Sequence, residues 1–292
     1  MSKRSVAGSR LEFIPPQVPT LVDKPPEGDE WIHEVKFDGY RVQVIVQDGM
    51  ARIFTRNGHD WSAKFWPIGL AALALPCTSA IIDGEVIVCD EKGASDFNAV
   101  GRAIRSDPGS LCFVAFDLLH LDGTDLRAKP LVERRRRLAD MVKGNAKIQF
   151  SEAFEGHAAA IFRAVEAMGL EGMVSKRADS RYRSGPSKVW LKTKCFVESD
   201  FELLGVVREP GQAPQALMAT PDRKYVGSAI VALKGAMRDR LWDRVKTRPA
   251  PAPKGFRNPG AEWTQPGMVG RVRFLRGEGG LRHATLKEVR ED

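Results

Sequence analysis

Residues 34–41 read Glu34-Val35-Lys36-Phe37-Asp38-Gly39-Tyr40-Arg41 and place one lysine at a turn between two strand-like runs. Residues 31–35 have the composition of a strand, and residues 41–46 alternate polar with β-branched side chains, as a half-buried strand does. A lysine with the ordinary pKa of about 10.4 becomes a nucleophile only when it is desolvated or lies near other cations. Taken alone, the stretch is better explained by an exposed lysine beside a glycine turn than by a nucleophile. The role of Lys36 therefore depends on the rest of the chain.

Five further short motifs follow Lys36 along the chain. Each is weak evidence by itself, since Asp-Gly-Glu occurs by chance in many hairpins, but their order and spacing are informative together. The whole set resembles the covalent nucleotidyltransferases and most closely the ATP-dependent DNA ligases, whose nucleophile motif is Lys-x-Asp-Gly-x-Arg. The five motifs are Thr55-Arg56-Asn57-Gly58, Asp83-Gly84-Glu85, Phe113-Val114-Ala115-Phe116-Asp117, Glu171-Gly172-Met173-Val174 and Trp190-Leu191-Lys192-Thr193-Lys194.

The resemblance continues between the motifs and runs from about Pro16 to the C-terminus. The stretches at 25–28, 116–123, 175–177 and 182–185 look like the ligase domain of bacterial ligase D, a family that works in non-homologous end joining. This resemblance implies an α+β fold: a nucleotidyltransferase (adenylation) domain of antiparallel sheets with flanking helices, followed by a small OB-fold β-barrel. We expect a flexible basic tail over residues 1–15, the adenylation domain over 16–195 and the barrel over 196–292. Short strands and one helix after Phe201 fit such a barrel.

The resemblance also implies a role for each motif residue. Lys36 would take AMP from ATP to form a lysyl-AMP, assisted by Asp38 and Arg41. Phe116 is open to two interpretations, a core aromatic or a ring stacked on adenine. Lys192 and Lys194 lie two apart on one face of a strand and would repel each other unless an anion lies between them, which predicts a bound triphosphate. The residues assigned to the nucleotide are Glu34, Arg56, Glu85, Phe116, Lys192, Lys194 and Arg290, and those assigned to Mg²⁺ or Mn²⁺ are Glu85 and Glu171.

Composition supports a polyanionic partner without proving one. The chain carries 45 Lys+Arg against 37 Asp+Glu, a formal net charge of +8, which suits nicked or broken double-stranded DNA. Four dispersed cysteines and five histidines without ligand spacing argue against a zinc or disulfide framework. No apolar run reaches the ~20 residues of a membrane span. We expect a cytoplasmic monomer that associates with the nucleoid during repair, with a Ku-like end-joining protein as a partner.

Two predicted helices carry expectations about which side chains are buried. The helix that follows Pro130 contains Arg134-Arg135-Arg136-Arg137, which cannot share one face at 100° per residue, so most of these side chains are predicted to be solvated. A second helix over 156–169 is predicted to bury five apolar side chains. Those five are Ala159, Ile161, Phe162, Val165 and Met168.

The two ends of the sequence bear on the expected reaction. Only 35 residues precede Lys36, which favours ATP over NAD, because NAD-dependent ligases place a nicotinamide-recognising domain there. At the other end, Arg290-Glu291-Asp292 matches the first three positions of the family's Arg-x-Asp-Lys motif and lacks its lysine. That difference puts self-adenylylation most in question.

Two alternatives remain open at the level of sequence. An RNA ligase or a capping guanylyltransferase would share the lysine and the fold, and the extended likeness to ligase D argues against both. A non-catalytic DNA-end-binding module would keep the fold without the chemistry, and covalent labelling of Lys36 separates it from an enzyme.

Overall fold

The computed structural model describes residues 10–88, 95, 97–256, 258, 260–275 and 280–291, and the chain divides into two compact units, Met1–Lys194 and Cys195–Asp292. The strands of the first unit are β1 (Gln17–Leu21), β2 (Trp31–Val35), β3 (Tyr40–Gln47), β4 (Met50–Thr55), β5 (Ser79–Ile87), β6 (Cys112–Leu121), β7 (Thr124–Asp125), β8 (Ile148–Phe150), β9 (Ala153–Phe154), β10 (Gly172–Arg177) and β11 (Gly185–Lys194). Its helices are α1 (Trp66–Leu73), α2 (Phe97–Ser106), α3 (Leu131–Val142) and α4 (Ala158–Ala167), with a short 3-10 turn at Pro108–Ser110.

The second unit contains β12 (Phe196–Val207), β13 (Gln215–Ala219), β14 (Tyr225–Val231), α5 (Gly235–Thr247), β15 (Ala261–Trp263), β16 (Met268–Leu275) and β17 (Thr285–Glu291). Its strands pair in the order β13-β14-β17-β16-β12-β15, and β12 also pairs with β13. Leu241 and Val245 of α5 pack into the same core as Leu203 and Met218 of the strands. No helix in the described part of the chain is long and apolar enough to cross a membrane.

Two sheets form the first unit. One has the order β1-β11-β10-β2-β9, and the other has the order β4-β3-β5-β6-β7 with β8 beside β6. β3 shows why the second sheet lies inside the unit: Val44 and Ile45 point to opposite faces and both are fully buried. Val44 packs with the helical side of the core, whereas Ile45 packs with Trp190 of the other sheet. The region where the two sheets face each other, called the cleft below, is therefore bounded by buried strands.

The Asp83-Gly84-Glu85 motif lies inside one continuous strand. The sequence predicts two strands separated by these residues, but β5 runs through them and changes register between Asp83 and Gly84. A Cβ atom at Gly84 would lie 2.4 Å from the Phe113 ring, so only glycine allows the neighbouring strand this close. On its other edge β5 pairs with β3 without a register change, which places Glu85 opposite Arg41.

Gly172 is required by both its backbone and its neighbours, which predicts a large loss of stability in Gly172→Ala. Its φ is +153°, and a Cβ would lie 2.2 Å from the Thr193 carbonyl oxygen. We expect the free energy of unfolding, measured by urea titration, to fall by about 2–5 kcal/mol. Gly144→Ala is the matched control, because Gly144 has a φ of +77° with no atom within 4 Å, so it should lose only about 1 kcal/mol. Equal losses in the two variants would contradict the steric explanation.

Two local expectations differ from the structure. Helix α4 buries Ala158, Ile161 and Val165, whereas Ala159 is exposed and Met168, at the C-cap, is 67% exposed. The predicted buried face was therefore wrong at those two positions, because the helix turns a different stripe toward the core. The sequence also predicts a flexible tail over residues 1–15, but residues 10–15 pack on the β3–β4 hairpin, where Leu11 N donates to Gln47 Oε1 at 2.7 Å.

Candidate active site

Lys36 follows the last residue of β2 and is fixed there by the neighbouring strand. Its backbone amide donates to the Gly172 carbonyl at 2.9 Å, and its ammonium pairs with Glu171 Oε2. Lys194 Nζ lies 3.9 Å from the other oxygen of the same carboxylate. Glu171 therefore lies between two lysines, and one of them is the candidate nucleophile.

Glu85 approaches this group from the second sheet. Burial raises the pKa of Glu85 to about 8, and the Glu171 charge adds to the increase while Lys36 and Arg41 oppose it. Both carboxylates therefore interact with Lys36: Glu171 pairs with its ammonium, and the Lys36 charge lowers the pKa of Glu85. A divalent cation between them would remove that repulsion, so the donor set fits Mg²⁺ or Mn²⁺.

Positive charge exceeds negative charge around Lys36. Burial lowers the pKa of Lys192, and the nearby charges of Lys36 and Arg56 lower it further. The cations that share this environment are Lys36, Arg56, Lys192 and Lys194, against the two carboxylates Glu85 and Glu171. An excess of clustered cations on a rigid frame is suited to a polyphosphate.

Arg41 does not belong to this group of cations. Its guanidinium donates to Asp83 Oδ1 at 3.1 Å and Oδ2 at 2.7 Å, and to the Gln17 carbonyl at 2.8 Å. Burial disfavours its charge, but Asp83 more than offsets this and raises the pKa of Arg41 above its ordinary value. Tyr182 donates its hydroxyl to the same Asp83 at 2.7 Å. The arginine of the nucleophile motif therefore belongs to a buried ion pair.

Phe116 lies beside this ion pair and is only partly buried. The Arg41 guanidinium carbon is 5.2 Å from the centre of its ring, and Lys176 Nζ is 4.3 Å away. Trp190 meets the ring edge to face with centroids 6.1 Å apart. Phe116 is thus part of an aromatic wall at the cleft, and both of its interpretations from sequence remain compatible with this position.

Glu34 is buried two residues before Lys36. It accepts a hydrogen bond from Ser151 Oγ at 2.7 Å, and Lys176 Nζ and Arg135 Nη1 lie 2.7 and 2.9 Å from its Oε1. Burial lowers the pKa of Lys176, an effect that Arg135 reinforces and Glu34 opposes. The nucleophile strand therefore carries an internal ionic cluster directly behind Lys36.

The prediction that most α3 arginines are solvated was wrong for two of them. Arg134 is fully buried and donates to Asp117 Oδ1 at 2.7 Å and Oδ2 at 2.8 Å, and Arg135 is 5% exposed. Adjacent residues of a helix cannot share one face, but both can be buried when the helix is surrounded by other elements. In the sequence, the only sign that Arg134 and Arg135 are buried is the presence of their acidic partners, Asp117 and Glu34. Both partners lie outside α3, at earlier positions of the chain.

The remaining residues named from sequence lie in three places. The Asp38 backbone amide donates to Ser95 Oγ at 2.8 Å, in the loop that follows Lys36. Arg56 is exposed after β4, and its backbone amide donates to the Arg41 carbonyl at 3.0 Å. Arg290 belongs to the second unit, where its Nη2 lies 2.7 Å from Asp200 Oδ2 and Arg271 Nε lies 3.0 Å from the other oxygen of the same carboxylate. Residues 89–94, 96 and 292, including Cys89, lie outside the described residues.

His33, next to Glu34 on β2, predicts acid sensitivity. Burial lowers its pKa, against a smaller opposing effect of Glu27, and its Nδ1 lies 2.9 Å from Ser175 Oγ. Because the unfolded chain protonates first, near pH 6.5, this contribution to stability is present at neutral pH and is lost as the pH falls below about 6.5. Urea titrations at pH 7 and pH 5 should show a larger loss for the wild type than for His33→Asn. The exposed His59→Asn control should behave like the wild type, and an equal loss in His33→Asn would contradict the assignment.

Comparison with known proteins identifies the family. A family model described as the ATP dependent DNA ligase domain matches residues 16–194. The chain belongs to the ATP-dependent DNA ligase family. The multifunctional non-homologous end joining protein LigD of Pseudomonas aeruginosa is 32% identical across 100% of this chain. The SPbeta prophage-derived DNA ligase-like protein LigB of Bacillus subtilis is 32% identical over 74% of this chain and 78% of its own length.

Solved structures of ligase family members share the fold. Mycobacterial DNA ligase D, solved in complex with ATP and MES, is 26% identical with a TM-score of 0.59, and 95% of each chain is covered. The ligase domain of LigD from M. tuberculosis is 25% identical with a TM-score of 0.58 over 94% of each chain. These matches confirm the resemblance to ligase D drawn from the motifs. The chain spans 37% of the length of the P. aeruginosa protein.

Several residues of this ligase-family site were missed by reasoning from sequence. Asp83 and Asp117 lie inside recognised motifs, which is a signal that each has a buried partner. Tyr182 lies in a stretch that carries the resemblance to ligase D. Ser151 and Gln17 have no sequence signal, because each contributes through one contact that only the tertiary structure creates.

Proposed function

We propose that this chain is an ATP-dependent DNA ligase that seals 3′-hydroxyl/5′-phosphate nicks or breaks through a lysyl-AMP at Lys36. The observation that carries the proposal is the position of Lys36 among the excess cations and the two carboxylates of the cleft. In the first step the Lys36 amine, having lost a proton, forms a bond to the α-phosphorus of ATP and pyrophosphate leaves. AMP then passes to a DNA 5′-phosphate, and the 3′-hydroxyl finally displaces it.

The cleft offers a different group for each part of the nucleotide. Lys192 and Lys194 would bind the phosphates, and Arg56 would contact the sugar or a DNA phosphate. Phe116 would stack on adenine, with Glu34 behind it, and Glu85 would face the ribose. Asp38 and Arg41 would order the loop and the strand that carry Lys36. Arg41 would do so through its ion pair with Asp83.

Glu85 and Glu171 would hold the divalent cation, Mg²⁺ or Mn²⁺. Within the described ranges no three side chains of the types His, Cys, Asp and Glu come together as a metal site, so phosphate oxygens and water would complete the coordination. Such a cation supplies charge neutralisation for the reacting phosphates. The backbone of Lys36 is held independently of the cation, through the hydrogen bond from its amide to the Gly172 carbonyl and the β2–β10 pairing.

The second unit would be an OB-fold domain that contacts DNA, and residues 16–195 would be the adenylation domain. The pairing of β12 with both β13 and β16 supports this proposal. Arg290 would bind the pyrophosphate in the first step once released from Asp200. We further propose that the protein acts as a monomer in the cytoplasm on nucleoid DNA, with a Ku-like partner. Its P. aeruginosa relative is named as a non-homologous end joining protein, which supports a role in end joining.

A sealing assay tests the proposal against its rivals. The purified chain is incubated with Mg²⁺ or Mn²⁺ and a 5′-labelled nicked duplex, with ATP, GTP or NAD as the nucleotide, beside the same duplex made of RNA. We expect sealing of nicked DNA with ATP only. Sealing of RNA alone would assign an RNA ligase, transfer from GTP would assign a guanylyltransferase, and DNA binding without any covalent product would leave a binding module.

A further inference from the structure

Arg135 of α3 contacts both sheets of the first unit at once. Its Nη1 lies 2.9 Å from Glu34 Oε1, on β2 of the sheet that leads to Lys36. Its Nη2 donates to the Ser151 carbonyl at 2.7 Å, and its Nη1 reaches the Phe116 carbonyl at 3.5 Å. Phe116 belongs to β6 of the sheet that carries Glu85, and Ser151 is joined to the same strand by the hydrogen bond from its amide to the Ala115 carbonyl. We propose that Arg135 is a positioning residue that sets the distance between Lys36 and the Phe116 side of the cleft, and thereby the rate of nucleotidyl transfer. This inference rests on the proposed function.

The charges around Glu34 indicate that Arg135 contributes through its position and not through neutralisation of Glu34. The buried carboxylate of Glu34 already has Lys176 Nζ at 2.7 Å, so one cation neutralises it. Arg135 adds a second cation at the same oxygen and gives the cluster of Glu34, Arg135 and Lys176 an excess positive charge. An uncompensated buried charge is costly. What Arg135 contributes beyond Lys176 is its reach to the Ser151 and Phe116 carbonyls.

The contacts of Glu34 Oε1 depend on where the two cations lie. Neither cation makes a hydrogen bond of good geometry with this oxygen, and Glu34 Oε1 and Lys176 Nζ are both buried without a hydrogen-bond partner. The position of Glu34 is therefore set by ionic attraction on one side and by the Ser151 hydroxyl on the other. Movement of Arg135 would shift Glu34 and, two residues further on, Lys36.

A guanidinium is required for this arrangement. Its planar fork directs separate N–H groups toward separate acceptors, whereas a lysine ammonium is a single point charge. The Arg135 guanidinium also lies 4.5 Å from the centre of the Phe150 ring, at the end of β8, which fixes its plane. A lysine at position 135 would keep the charge and lose the simultaneous contact with both sheets.

The test compares Arg135→Met and Arg135→Lys with Arg136→Met, an exposed neighbour on the same helix. Label transferred from α-labelled ATP to the protein is followed over a range of ATP concentrations, and thermal unfolding is measured in parallel. We expect both Arg135 variants to lose about 10–100-fold in the second-order rate constant for self-adenylylation by ATP, as a small misplacement of reacting groups does. Arg136→Met should stay within about twofold of the wild type.

A double-mutant cycle separates positioning from a general structural role. If Arg135 acts through the Phe116 side of the cleft, Arg135→Lys should cost less than about threefold in a Phe116→Leu background. Full additivity of the two losses would overturn the proposal, as would wild-type rates in Arg135→Lys. If Arg135→Met does not fold, Arg135→Lys decides alone.

A wild type that acquires no label would refute the proposed function and would leave this inference testable by binding. Affinity for α,β-methylene-ATP would then be measured by equilibrium dialysis. About tenfold weaker binding in Arg135→Lys than in Arg136→Met would support positioning of the cleft, and equal binding would overturn it.

Discussion

Lys36→Arg is expected to abolish transfer of AMP from ATP to the protein, with a loss of about 10⁴-fold or more. A guanidinium keeps the positive charge and hence the pair with Glu171, but it does not lose a proton near neutral pH and so cannot form the bond to phosphorus. The measurement is the rate at which label from α-labelled ATP becomes attached to the purified protein. Because charge is conserved, folding and nucleotide affinity should change little.

A pre-adenylylated nick provides the internal control for that result. AMP is already on the DNA in this substrate, so Lys36→Arg should still seal it at a measurable rate while failing with ATP and an ordinary nick. Lys143→Arg, at an exposed position after α3, should match the wild type in both assays. Label on Lys36→Arg at the wild-type rate would show that another residue is the nucleophile.

Asp117→Asn is expected to lower the free energy of unfolding by about 3–5 kcal/mol, the cost of leaving a buried charge without its partner. Arg134 and Asp117 are both inaccessible to solvent and meet through two hydrogen bonds. The remaining Arg134 contacts, to the Lys129 and Ser180 carbonyls, are neutral acceptors and do not balance the charge. Urea titration with a spectroscopic readout measures the change.

Two further variants test that explanation. Combining Asp117→Asn with Arg134→Met should recover part of the loss, because the double variant no longer buries an unpaired cation. Glu133→Gln, on the same helix, removes a partly exposed pair with Arg137 and should cost less than about 0.5 kcal/mol. A loss in the double variant equal to the sum of the single losses would argue against the ion pair as the cause.

The local pattern of hydrophobic and polar residues was sufficient to predict strands around Lys36. Residue pattern placed β2 and β3 within one residue of their observed bounds. These strands are recognisable because a period of two in hydrophobicity is imposed by burial of one face. The same logic failed at Asp83-Gly84-Glu85, since a continuous strand can pass through a turn-like tripeptide when a neighbouring strand needs glycine for close approach.

Sequence by itself determined the candidate nucleophile, the order of the motifs and the family of this protein, because these depend on residue types at fixed spacing along the chain. Only the tertiary structure decided that Arg41 neutralises Asp83 and that Arg134 is buried against Asp117. It also decided that Arg135 reaches Glu34 and the carbonyls of the opposite sheet. An ion pair between residues far apart in sequence leaves no periodic trace, since its energy comes from the low dielectric and the fixed distances that packing creates.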